Sequence, residues 1–168
     1  MGHSLLLGMT ESGKTSLAKQ LIAEFQKKEI KCITLDPLGD PSFGADFITC
    51  NPEEFSRIWK NSRGCAVFID EAGTVGKFSE HIREAATKGR HWGHQFFFLS
   101  QKATQIEPLV RDQCSNLFLF RSGLQSRKTL AEEFDAPQLL EPVEMLEFHH
   151  CTRSGYIGKK KITFKIHA

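Results

Sequence analysis

Short, nearly unbroken apolar runs alternate along the chain with longer stretches of mixed, helix-forming composition. Ser4-Leu5-Leu6-Leu7, Ala66-Val67-Phe68-Ile69 and Phe96-Phe97-Phe98-Leu99 are the clearest runs. The pattern predicts strands over 4–7, 31–35, 65–69, 95–100 and 116–120, with helices over 14–27, 52–61 and 78–88. Strands and helices in alternation argue for a mainly parallel sheet flanked by helices, an α/β fold. Strands without polar alternation fit burial on both faces. Pro37, Gly39, Pro41 and Gly44 mark a loop, after which 46–48 reads as a short extra strand. Beyond residue 124 the pattern changes to a helix over 126–134 and two strands, over 144–151 and 161–166. The turn between them falls around Arg153-Ser154-Gly155 and Gly158, forming a C-terminal β-hairpin with Lys159-Lys160-Lys161 near its tip. The expected organisation is one domain over 1–168, with a core over 3–123 and the helix and hairpin over 124–168.

Composition narrows the function. At 168 residues the chain suffices for one sizeable core. Lys and Arg number 22 against 20 Asp and Glu, so any contact with nucleic acid has to be local rather than a general coating by positive charge. The five cysteines, Cys32, Cys50, Cys65, Cys114 and Cys151, are far apart and lack CxxC spacing, and read as reduced core residues of an intracellular protein. No run approaches the ~18 apolar residues of a membrane span, and the N-terminus lacks the features of a signal peptide. The 14 phenylalanines fall mostly in the strand runs and on helix faces, as core.

The chemistry begins between the first strand and the first helix. Gly8-Met9-Thr10-Glu11-Ser12-Gly13-Lys14-Thr15, followed by Ser16, is a GxxxxGK[ST] phosphate-binding loop in its proper context. Its glycines let successive backbone N–H groups turn toward a polyphosphate, and the helix start adds partial positive charge. Lys14 suits the β/γ-phosphates and Thr15 a Mg²⁺ ion, which makes ATP with Mg²⁺ the expected ligand pair.

Asp70 and Glu71 end the third core strand as consecutive carboxylates. Ligands of a doubly wound sheet lie at the carboxyl ends of strands, so these acids belong beside the phosphates. Asp70 is the candidate for Mg²⁺, and Glu71 for polarising an attacking water. Gln101, after the next strand, either senses the γ-phosphate or belongs to a helix-capping turn. Asp36, ending the second strand, either bonds near the nucleotide or caps a turn.

Taken in order, the loop, Leu35-Asp36-Pro37, Phe68-Ile69-Asp70-Glu71, Gly89-Arg90-His91, Phe98-Leu99-Ser100-Gln101 and Arg111-Asp112-Gln113 before Asn116-Leu117-Phe118 resemble the FtsK/HerA superfamily of P-loop ATPases. Within it, the small size is similar to the genome-packaging ATPases of tailless double-stranded-DNA viruses with an internal membrane. The resemblance spans roughly residues 3–123. It implies a RecA-like core, a homo-oligomeric and usually hexameric ring, ATP-driven movement of double-stranded DNA, and a place in the host cytoplasm and at the packaging vertex of the virion. Capsid-vertex or viral membrane proteins are the implied recruiting partners. It also implies Lys14 and Thr15 at phosphate and magnesium, Asp70 and Glu71 as metal and catalytic acids, and Gln101 as sensor. Arg90 and Arg111, with Arg121 behind them, are the candidates for an arginine finger, each weighed against a surface salt bridge. A separate winged-helix domain and a membrane anchor are missing from the pattern, which disfavours chromosome partitioning.

Pore contacts to duplex DNA fall to 73–77 and to 87–94, where Lys88, Arg90, His91 and His94 surround Trp92. The alternative for the second segment is a solvated loop with Trp92 at a subunit interface. Two other functions compete: a non-hydrolysing nucleotide-binding assembly or secretion protein, and a small-molecule P-loop kinase. Glu71 argues against the first, and the Asp-Glu pair followed by Ser-Gln argues against the second.

Overall fold

The computed structural model describes residues 2–73 and 77–164. In chain order the elements are β1 (His3–Leu7), α1 (Lys14–Lys27), β2 (Cys32–Leu35), β3 (Phe47–Thr49), α2 (Pro52–Lys60), β4 (Ala66–Ile69), α3 (Lys77–Lys88), β5 (Gln95–Ser100), α4 (Pro108–Asp112), β6 (Cys114–Phe120), α5 (Leu124–Glu133), β7 (Glu147–Thr152) and β8 (Gly155–Lys161). All the described strands join one sheet in the order β3-β2-β4-β5-β1-β6-β7-β8. The first six run parallel and the last two antiparallel to their neighbours. The mainly parallel α/β sheet and terminal hairpin expected from the sequence are therefore present.

Residue alternation along the strands builds two core layers. Leu5, Leu7, Val67, Ile69, Phe96 and Phe98 face the layer closed by Phe55 and Trp59 of α2, Ile82 and Ala85 of α3 and Leu130 of α5. Leu6, Phe68, Phe97 and Leu99 face the other, closed by Leu17, Ala18 and Ile22 of α1. Both faces are buried, which is why these strands read as unbroken apolar runs. Helix ends follow local chemistry. Asn51 accepts a 3.0 Å bond from the Glu54 N–H, Pro52 opens α2 where no N–H is needed, and Arg57 and Lys60 close it.

Register sets the site. Leu7 pairs with Ser100, and Ile69 with Phe98, so Gly8, Asp70 and Gln101 leave the sheet at the same end. β1 lies between β5 and β6 while its chain continues to β2 beyond β4, which makes this end the topological switch point.

The hairpin differs from the sequence expectation. Its turn is only Arg153-Ser154, because Thr152 already pairs with Gly155, and β8 starts there rather than at residue 161. Gly158 lies within the strand, and the register shift between His150 and Cys151 absorbs the extra residue. Lys159, Lys160 and Lys161 pair with His149, Phe148 and Glu147, at the far end of the hairpin from its tip. As the outermost strand, β8 can carry three lysines, and such charges discourage pairing with another chain. The C-terminal part of the expected strand, over 165–166, lies outside the described residues.

At the opposite end of the sheet, His3 is buried and accepts a 3.2 Å bond from the Phe96 N–H through Nδ1. Burial, helped by the Arg90 guanidinium, lowers its pKa from 6.5 to about 4. The folded protein keeps this ring neutral where the unfolded chain protonates it. Stability from this source is complete above pH 6.5 and is lost on acidification toward pH 4, by about 3 kcal/mol in all. Thermal unfolding of His3→Gln between pH 7 and pH 4 is expected to show a shallower acid limb than the parent, and equal slopes would contradict the assignment.

Candidate nucleotide site

Residues 8–16 hang between two strands. The Gly8 N–H donates to the Ser100 carbonyl at 3.1 Å and the Met9 N–H to the Arg121 carbonyl at 2.8 Å, which ties the loop to the ends of β5 and β6. Gly13 has φ +120°, and an added Cβ would meet Ile162, Phe120 and Leu146 at 3.0–3.3 Å, so both conformation and space demand glycine. Thr15 and Ser16 follow in the first turn of α1, whose leading N–H groups have no helical partner. Residues 11–16 and Leu146 enclose a cavity of about 120 Å³.

The Lys14 ammonium folds back over the loop and donates to the carbonyls of Gly8, at 2.5 Å, and Met9, at 3.0 Å. Burial lowers its pKa, while the Glu71 and Asp70 carboxylates oppose the shift. The loop lysine and the twin acids, 56 residues apart in the case of Asp70, thus share one electrostatic neighbourhood.

Asp70 continues the β4 ladder through its N–H, which donates to the Leu35 carbonyl at 2.9 Å. Burial raises its pKa to about 6 against the lowering effect of a bond from the Glu71 N–H, and the charges of Glu71 and Asp36 push it further up. Asp36 accepts from the backbone N–H groups of Leu38 and Asp40, so it caps its own loop and also bears on Asp70. Gln101 is half-buried just past β5, beside Ser100, whose carbonyl anchors the loop. The described residues include five non-glycines with positive φ. Glu29 and Asp135 follow helix ends, while Glu11, Glu71 and Leu146 surround this site. Such backbone persists only where neighbours hold it, and it concentrates at functional sites.

The donors suit a hard cation. The Thr15 hydroxyl and Asp70 carboxylate are oxygen ligands, and Mg²⁺ commonly takes its remaining ligands from water and phosphate.

The family described as AAA domain matches residues 3–115, more than half of the chain. The chain belongs to this AAA domain family. Comparison with curated protein sequences gives no match. Among solved structures, the genome packaging NTPase B204 from Sulfolobus turreted icosahedral virus 2 in complex with sulfate superposes with TM-score 0.81 at 19% identity, over 98% of both chains. Its complex with AMPPCP gives 0.78 at 20% identity, over 96% of this chain and 98% of that one. The conjugation coupling protein TcpA of pCW3 with ATPγS gives 0.74 at 13% identity, over 95% of this chain and 59% of that one. The chain therefore shares with these structures the α/β P-loop fold that the order of its motifs implied.

The three candidate arginines of the chain occupy different environments. Arg111 is only 7% exposed. Its guanidinium binds Glu133 through Nε and through NH2, the latter at 2.7 Å, and donates from NH1 to the Ala103 and Ile106 carbonyls. Of the two alternatives weighed for Arg111, these bonds favour the salt bridge, buried rather than on the surface and made within the chain. Arg90 is exposed at the amino end of β5, near His3 and bonded to the Gln113 carbonyl, so it lies across the sheet from its own loop. Arg121 is exposed beside the loop, its carbonyl holding Met9.

The basic segment is also revised. His94 is buried, with Nδ1 accepting from the Cys65 N–H and Nε2 donating to the Trp59 carbonyl, and Trp92 packs edge-on against Trp59 at 5.5 Å. Both are structural, leaving Lys88, Arg90 and His91 exposed. These residues precede β5 rather than follow it, so they are one strand length, roughly 20 Å, from Gln101. Residues 74–76 of the other pore candidate lie outside the described residues, as do any contacts they make. No described helix is long and apolar enough to cross a membrane.

Burial separates the two finger candidates experimentally. Arg111→Ala removes the cation that Glu133 and the Ile106 carbonyl bind, while the Ala103 carbonyl keeps the Ile106 N–H, and is expected to cost about 3–5 kcal/mol and roughly 10 °C in Tm. Arg90→Ala should leave Tm within about 2 °C, as for an exposed side chain. Equal losses in the two variants would overturn this distinction.

Proposed function

We propose that the chain is the ATPase subunit of a ring that moves double-stranded DNA, most specifically one that packages a viral genome into a preformed capsid. The observation that carries this reading is the strand register that brings the Lys14 loop and the Asp70–Glu71 pair to the same end of the sheet, where the two carboxylates oppose the lowering of the lysine's pKa. Likeness to B204 over nearly the whole of both chains supports the packaging assignment over conjugation, since this chain spans only 59% of TcpA.

In this reading, ATP lies with its phosphates against the backbone N–H groups of 8–16. Lys14 leaves its two carbonyls to hold the β/γ oxygens. Mg²⁺, held by Thr15 and Asp70, would supply charge neutralisation on the phosphate oxygens. Glu71 accepts a proton from water as the water oxygen bonds to the γ-phosphorus, and the bond to ADP breaks. Gln101 registers departure of the phosphate, which β5 and the loop tether at Ser100 relay across the sheet to Lys88 and His91 as the DNA-facing group. Arg90 is the finger for a neighbour's site, because its place across the sheet from its own loop suits action in trans. The ring is homo-oligomeric, works in the host cytoplasm and at the virion vertex, and is recruited by capsid-vertex or viral membrane proteins.

ATPase turnover with and without duplex DNA, measured for the parent and for Glu71→Gln, tests the reading. Turnover should rise with DNA in the parent and fall about 10²–10⁴-fold in the variant while nucleotide still binds. Unchanged turnover would remove Glu71 from the chemistry, and phosphate appearing on a small acceptor would favour a kinase. Mixtures of Arg90→Ala and Lys14→Ala subunits should recover activity that neither has alone, and mixtures as inactive as their components would exclude a finger in trans.

A further inference from the structure

Leu146 has an unusual position. It precedes β7, yet its N–H donates to the Ser12 carbonyl of the loop at 3.1 Å, and its own carbonyl accepts from the Ile162 N–H at 2.9 Å. Its φ of 66° is in the left-handed region, which glycine or asparagine adopts at much lower cost than leucine. The two backbone bonds hold that conformation, and the reason for a leucine has to lie in the side chain. That side chain lies against Gly13, with Cδ2 3.3 Å from where a Cβ would stand, and it lines the cavity formed with residues 11–16. Met145 beside it is 41% exposed, although methionine is an apolar residue.

Strand order gives this apolar wall a direction. The sheet runs β4-β5-β1-β6-β7, with the loop following β1. The twin acids lie on the β4 side of the loop and Leu146 on the β7 side. A triphosphate whose terminal group faces the acids has its nucleoside end toward the hairpin. We propose that Leu146, with Met145 at its margin, forms the wall against which the nucleobase and ribose pack, so that the C-terminal hairpin completes the nucleotide site. This assignment rests on the reading of the loop as a triphosphate site. The backbone N–H and C=O of Leu146 are already bonded, so this residue offers an apolar surface and no polar group to read a base edge. The wall therefore accepts adenine and guanine alike.

Calorimetric titration with MgATP, MgGTP and inorganic tripolyphosphate tests the proposal on the parent, Leu146→Ala, Leu146→Met and Lys14→Ala. Leu146→Ala is expected to weaken ATP and GTP by about fivefold each and to leave tripolyphosphate unchanged, as loss of an apolar contact to the nucleoside alone requires. Leu146→Met, which keeps an apolar side chain of similar volume, should stay within about twofold of the parent for all three. Unaltered ATP affinity in Leu146→Ala, or a tripolyphosphate affinity reduced by the same factor as ATP, would overturn the wall. ATP and GTP affinities in the parent differing by more than about tenfold would overturn its indifference to the base. Tripolyphosphate binding that survives Lys14→Ala would instead count against the phosphate loop itself, which keeps the two failures apart.

Discussion

Two backbone hydrogen bonds position everything else at the nucleotide end of the sheet. Gly8 and Met9 donate to the carbonyls of Ser100 and Arg121, and the loop is suspended between β5 and β6 as a direct continuation of β1. Because β4 and β5 share a register with β1, the same tethers bring the loop level with Asp70, Glu71 and Gln101. Parallel strands buried on both faces make this support rigid, and the site is assembled from the ends of elements whose own stability comes from elsewhere.

The electrostatics of the site follow from this crowding. A half-sequestered ammonium is disfavoured by burial and favoured by two carboxylates, while Asp70 is disfavoured by burial and by the other acids around it. Each charge is held in a place that suits it poorly alone, and a ligand combining phosphate anions with a divalent cation would satisfy both signs together. The positive φ values of Glu11, Glu71 and Leu146 belong to the same picture, since neighbouring structure fixes backbone that would otherwise relax.

The sheet and the loop were legible in the sequence for a physical reason. Double-sided burial leaves an unbroken apolar signature, and a phosphate loop needs glycine and lysine at fixed spacing. The hairpin was less legible. Gly158 looked like part of a turn, yet it sits at an irregularity within an edge strand, and an edge strand tolerates the three lysines that suggested a tip. Arg111 stayed open between a finger and a salt bridge because local sequence cannot show that Glu133, 22 residues later, folds back onto it. His94 and Trp92 looked like part of a basic surface, but their partners come from α2 and from the residue before β4. Leu146 gave no signal, since a positive φ is foreseeable for glycine and not for leucine.

The central claim is that a polyphosphate occupies the backbone N–H groups of the suspended loop, next to the twin acids. Hydrogen–deuterium exchange with and without Mg²⁺ and a slowly hydrolysed ATP analogue addresses it at the groups concerned. The account predicts slowed exchange across residues 10–16, with Glu71 and Leu146 slowed on either side. Exchange at residues 10–16 that is the same with saturating nucleotide as without it would contradict it.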